Sequence, residues 1–193
     1  MPLRQIKSVA VFCGSNFGGS DAYAEGAREL GTTLARENIT LIYGGTTKGL
    51  MGIVADAVLS NGGDAHGIIT ERLHLRGHSH AGLTCSEMVA TLRNRKERMT
   101  DLADAFIAMP GGIGTMEEMM EVWTMNQLAE IDKPVGLLDI DGFFAPFLKF
   151  IDHMVDTKFL PPAHRHSISV DPHAAPLLDQ LRAYQRSDVP KWL

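Results

Sequence analysis

Three short apolar runs in this chain each end in a glycine-rich loop, and each loop opens a segment of helical period. Ser8–Cys13 (SVAVFC) runs into Gly14 and Ser15. Thr40–Tyr43 runs into Gly44-Gly45-Thr46-Thr47-Lys48-Gly49, and Ala105–Met109 (AFIAM) into Pro110-Gly111-Gly112-Ile113-Gly114-Thr115. A run that is apolar at nearly every position has to be covered on both faces, which places it in a parallel sheet flanked by helices. The rest of the chain keeps the alternation. Asp21 caps a helix carrying Tyr23, Ala27, Leu30 and Leu34, and a small-residue helix runs from Leu50 to about Leu59, closed by Asn61-Gly62-Gly63. Ala65–Ile69 is the third strand, Glu71 to Gly82 an irregular stretch, and Leu92–Ala103 a charged helix. A long helix from about Met116 to Glu130, a strand at Pro134–Leu138, a turn at Asp141-Gly142 and a helix over Phe143–Asp156 follow. Ser167–Val170 and Pro172–Gln185 add a last strand and helix. The reading is an α/β fold with a parallel sheet, in a single domain with its core over about residues 8–185.

Composition narrows the function. At 193 residues, 45% hydrophobic and 21% charged, the chain is neither disordered nor fibrous. Eighteen Lys and Arg against 23 Asp and Glu leave a net charge of −5, which argues against nucleic acid or an anionic membrane as partner. A local anion pocket survives this argument, since backbone amides hold a phosphate without net positive charge. Cys13 and Cys85 are too few for a disulfide framework or a four-thiolate zinc site. No apolar run is long enough to span a bilayer, and Met1–Lys7 is not followed by a signal-peptide core. A soluble, cytoplasmic protein is expected.

Ligands of open parallel sheets bind outside the carboxyl ends of the strands, near the topological switch point. All three glycine loops follow strands, so they should gather there. The loop after AFIAM is the strongest signal: Gly111, Gly112 and Gly114 permit close backbone approach, and the next helix aims free N–H groups and its positive dipole end at the same place. The spacing is not the dinucleotide fingerprint, because Glu117 stands where the third glycine belongs, and no Gly-Lys-Ser/Thr makes a Walker loop. Thr115-x-x-Glu118 reads first as a capping box at the helix start. The functional reading is a carboxylate one turn from a bound phosphate, able to stabilise a developing sugar cation or orient a water. Arg93, Arg95, Lys96 and Arg98 read as a solvated helix face, except that Arg95 shares its side with Leu92 and Met99 and turns inward. His74, His78, His80, His164 and His166 lie in polar loops without metal-ligand spacing and read as surface residues. Met116, Met119, Met120 and Met125 suit core or subunit packing.

Pro110–Glu118 fits a PGGxGTxxE motif with Arg95-Lys96 ahead of it, and collinear blocks accompany it. These are CGS at Cys13–Ser15, YGG at Tyr43–Gly45, GLMG at Gly49–Gly52, DKPVGLL at Asp132–Leu138 and FID near Phe150. Together they resemble the LONELY GUY (LOG) family, the cytokinin riboside 5′-monophosphate phosphoribohydrolases, long labelled lysine decarboxylases. The resemblance implies a Rossmann-like, doubly wound fold, a homodimer, and hydrolysis of the N-glycosidic bond of an adenosine-type 5′-monophosphate. By position it implies that Gly111, Gly112, Ile113, Gly114 and Thr115 hold the phosphate and that Glu118 and Arg95 are the catalytic pair. Lys96, Glu117, Ser15 and Gly45 fall among the substrate contacts. No metal, nicotinamide or pyridoxal phosphate is required, and nothing marks a Schiff-base lysine. Two departures touch recognition of base or ribose. Where the family usually has Met-His-x-Arg-Lys, this chain has Leu92-Arg93-Asn94-Arg95-Lys96, and a substrate-contacting glutamate falls at Gly77. Plain AMP, a prenylated adenine nucleotide and another purine monophosphate all stay open. The alternatives are a non-hydrolytic binding protein, as molybdenum-cofactor carriers are, and, more weakly, a dinucleotide-dependent oxidoreductase.

Overall fold

A computed structural model describes residues 3–186 and Val189. The tail Ser187–Leu193, with Pro190 and Trp192, otherwise lies outside the described residues. One seven-stranded, all-parallel sheet organises the chain. Its strands are β1 (Ser8–Phe12), β2 (Thr40–Tyr43), β3 (Ala65–Thr70), β4 (Cys85–Val89), β5 (Ala105–Ala108), β6 (Val135–Leu138) and β7 (Ile168–Asp171). The spatial order is β4-β3-β2-β1-β5-β6-β7, so the chain winds outward one way from β1, returns to its other side at β5, and winds outward again. The switch point lies between β1 and β5, where Val9 pairs with Ala105 and Phe12 with Ala108.

The strand period of two sends alternate residues of β1 to opposite layers. Val9 and Val11 face α1 (Asp21–Arg36), α2 (Gly49–Ser60) and α8 (Ala174–Ala183), where Leu30, Leu34, Val54, Val58, Leu177 and Leu181 cover them. Ala10 and Phe12 face α4 (Leu92–Leu102), α5 (Ile113–Gln127) and α6 (Ala145–Asp156), under Met99, Met119, Val122, Trp123 and Ile151. Each fully buried Leu or Val in these layers contributes about 2 kcal/mol of burial. The doubly wound expectation holds.

Local expectations shift in instructive places. Asp21 is the first residue of α1, and Ser20 caps it by accepting from Ala22 N. β4 was not expected. It is an edge strand, half open to solvent, without the apolar run that marks its neighbours. Its Glu87 accepts two hydrogen bonds from Arg98 of α4, at 2.7 and 2.9 Å, and lies 2.9 Å from His66 of β3. The stretch from Glu71 to Gly82 contains a short helix, α3 (Glu71–Leu75), and then straps onto the loop after β2. There Thr47 N donates to His78 O at 3.3 Å and His80 N to Gly45 O at 2.9 Å. A second short helix, α7 (Pro162–Arg165), buries His164, which therefore departs from the surface expectation.

Candidate active site

The glycine loops meet at the carboxyl ends of β1, β2 and β5, as their order in the sequence implied. Gly14 N donates to Pro110 O, and Leu50 N to Gly14 O, both at 3.0 Å. Between these loops and α4 lies a cleft of about 570 Å³. Its floor is Cys13, Gly14, Ser15 and Met51, one wall is the start of α5, and the other is the start of α4.

The α5 wall begins earlier than the sequence suggested. The helix starts at Ile113 with Gly112 as its cap, so Thr115 lies inside the first turn and the capping box does not form. Glycine brings no side chain to the cap, and no acidic residue occupies the first turn. The amides of Ile113, Gly114 and Thr115 thus face the cleft uncapped, with the positive end of the helix dipole behind them. This suits a phosphate. Gly111 stands behind the loop, where a Cβ would lie 2.2 Å from Thr115 Oγ1, so its contribution is to let the buried threonine pack.

Freed from capping, Glu118 points into the cleft one turn further on, its side chain only 16% exposed. Burial raises its pKa above the usual carboxylate range; Arg95 pulls it down and Glu117 adds to the rise. Arg95 comes from α4 with a side chain 12% exposed, and its Nη2 lies 4.0 Å from Glu118 Oε1. At that distance charge is shared without a tight hydrogen bond. Arg95 Nε is buried with no hydrogen-bond partner among the described residues. The inward expectation for Arg95 is met although Leu92 on the same side is 61% exposed: Met99 reaches the core, whereas Leu92 overhangs the cleft.

The remaining basic residues of α4 are less solvated than their pattern suggested. Lys96 reaches Glu117, and Glu121 at 3.0 Å, and both contacts raise its pKa against the opposing effect of burial. The two substrate contacts implied at Lys96 and Glu117 are therefore committed to each other in this state. Arg98 holds the edge strand. Arg93 alone matches the solvated reading, 86% exposed and paired with Glu97 at 3.0 Å.

Ser15 lines the floor, but Gly45 and Gly77 do not line the cleft. Gly45 has φ +68, the left-handed region that favours glycine, and packs against Ile69 and Gly67. Its neighbour Gly44, which carries no site role in the sequence pattern, lies against Arg95 instead. A doubled glycine in sequence carries no sign of which member serves the turn and which the site. Cys13 is buried beneath the cleft, where loss of solvation pushes its thiol pKa up and leaves it a poor nucleophile. His74 meets Ser79 at 2.8 Å and His80 meets Asp56 at 3.0 Å. Among the described residues, no three His, Cys, Asp or Glu side chains come together to hold a metal ion.

Comparison with known proteins fits this geometry. Residues 51–181 match the family described as "Possible lysine decarboxylase". The chain is 44% identical over 182 residues to the probable cytokinin riboside 5′-monophosphate phosphoribohydrolase LOGL6 of Oryza sativa subsp. japonica, covering 93% of this chain and 72% of that protein. It is 43% identical over 182 residues to the cytokinin riboside 5′-monophosphate phosphoribohydrolase LOG1 of Arabidopsis thaliana, covering 93% and 84%. Among solved structures, the Moco carrier protein of Chlamydomonas reinhardtii superposes with a TM-score of 0.70 at 18% identity, over 93% of this chain and 99% of that one. The molybdenum cofactor binding protein of Rippkaea orientalis gives 0.69 at 18%, over 93% and 97%. Likeness at that identity speaks for the fold alone. The sequence relatives go further, and by them the chain belongs to the LOG family, whose family description still carries the decarboxylase label.

Proposed function

We propose that the cleft hydrolyses the N-glycosidic bond of a purine nucleoside 5′-monophosphate, releasing free base and ribose 5-phosphate. The observation that carries this reading is a largely buried carboxylate, Glu118, one turn beyond an uncapped helix N-terminus, with Arg95 as its sole ion-pair partner among the described residues. A site built only to hold phosphate would keep a carboxylate away. Here the amides of Ile113, Gly114 and Thr115 take the phosphate, which places the ribose beside Glu118. The bond from C1′ to the base nitrogen breaks with its electron pair on the base. Water adds its oxygen to C1′, and one water proton ends on the base. Glu118 stabilises positive charge developing on the sugar, and Arg95 orients that carboxylate and the substrate.

The curated relatives are named for cytokinin riboside 5′-monophosphates, and we extend that substrate class to this chain, together with AMP, its counterpart without the N6 substituent. The same reading carries a homodimer, supported by Ile113, 90% exposed at the mouth of the cleft, and by Leu92 facing it. It also carries a cytoplasmic setting, supported by two free cysteines. No helix among the described residues is long and apolar enough to cross a membrane.

The test is chromatography of products after incubating the metal-free protein separately with AMP and isopentenyladenosine 5′-monophosphate, each beside a Glu118→Gln control. Free base and ribose 5-phosphate that vanish in the control are expected. Bound but intact nucleotide after long incubation would replace the hydrolase with a binding protein.

A further inference from the structure

Arg95 is held in an unusual way for a largely buried guanidinium. Its Nε has no hydrogen-bond partner among the described residues, and its one carboxylate neighbour is 4.0 Å off. A planar fork with five donors is normally fixed by directed bonds to carboxylates or carbonyls. What fixes it here is shape. A Cβ built on Gly44 would lie 1.9 Å from Arg95 Nη2, 2.9 Å from its Cζ and 3.2 Å from Met51 Sδ. The guanidinium therefore rests in the volume where any other residue at position 44 would place its side chain.

We propose that Gly44 is a positioning residue: by lacking a side chain, it seats the Arg95 guanidinium at the end of β2 and so sets its distance to Glu118. This deepens the hydrolase reading and rests on it, since it assumes that Arg95 acts in catalysis. The adjacent glycines divide two tasks. Gly45 is needed for its positive φ, whereas Gly44 has no such conformation, and its backbone accepts an alanine without strain. The atoms an alanine would strike first are the far end of a flexible arginine, which can swing aside. The fold thus tolerates the methyl group, and the displacement falls on the catalytic pair.

Steady-state kinetics on a double-mutant cycle test this. Gly44→Ala should leave Tm near the wild-type value and inhibition by ribose 5-phosphate unchanged, while kcat falls by about a hundredfold, the scale of an ångström's misplacement. In an Arg95→Ala background the seat is empty, so adding Gly44→Ala should cost nothing further. Wild-type kcat in Gly44→Ala, beside an Arg95→Ala variant slowed about a hundredfold, overturns the assignment of Gly44 alone. An equal further loss in both backgrounds overturns it as well, by making the effect one of backbone. Full activity in Arg95→Ala overturns the catalytic reading, and the role of Gly44 with it.

Discussion

The two ends of the cleft are built on opposite principles. At the inner end, Glu118 and Arg95 are almost out of solvent, the first-turn amides of α5 lack a cap, and the thiol of Cys13 is buried beneath them. At the outer end, Leu92, Arg93 and Ile113 stand open to solvent, and the ion pair that Arg93 makes with Glu97 is of the weak exposed kind. The inner end spends stability on polar groups left unpaired, and the outer end spends none. A site arranged this way fixes its chemistry deep inside, where dipoles and charges act at low dielectric. Its choice of base is left to side chains that can change without disturbing the core.

That contrast can be broken by experiment. Glu118→Gln should lower kcat by about a thousandfold or more with KM little changed, because the lost interaction belongs to the transition state. Loss confined to KM would make Glu118 a binding residue. Arg95→Ala should cost about a hundredfold and also move the acid limb of kcat/KM. Burial raises the Glu118 pKa and Arg95 lowers it, so activity rises with pH through a limb above the usual carboxylate range. Removing Arg95 should move that limb higher still, and a pH–rate profile with an unmoved limb would uncouple the pair. At the rim, Leu92→Met combined with Arg93→His should change the preference between prenylated and plain AMP by about tenfold or less. Equal loss on both substrates would show that the rim shares in the chemistry. The smallest effect is on stability. A raised carboxylate pKa means that charged Glu118 costs the folded state free energy, a cost absent below the pKa of the unfolded chain and complete above the folded one. Glu118→Gln should therefore melt a few degrees higher than wild type near neutral pH and lose that advantage in acid, as calorimetry across pH would record.

Most of the framework was legible because it rests on patterns longer than one residue. Apolar runs ending in glycine marked β1, β2 and β5, and their order placed the loops on one edge. Glu118 and Arg95 were legible as candidates from motif and helix face. What escaped depended on single contacts. Edge strand β4 lacks an apolar run because one side of it meets solvent, and it is held by its pairing with β3 and by Glu87 bound to Arg98. Thr115-x-x-Glu118 imitated a capping box because the same residue types serve both purposes, and only the start of α5 at Ile113 separates them. The commitment of Lys96 to Glu117 and Glu121, and the seat that Gly44 provides, arise between segments far apart in the chain and leave no local mark.

The pairing of β1 with β5 also governs how the molecule must be assembled in time. Val9 waits for Ala105, a partner about a hundred residues downstream, and no hairpin shortens the search because every strand pair in the sheet is parallel. During synthesis, β1, β2 and β3 can associate early, yet the crevice has no second side until more than half the chain has emerged. The junction that creates the ligand site is thus a late closure on the folding route, and a slow one by its topology. In pulsed hydrogen exchange during refolding, the amides of Met109 and Gly14, which donate across that junction to Phe12 O and Pro110 O, should gain protection after those linking β1 to β2.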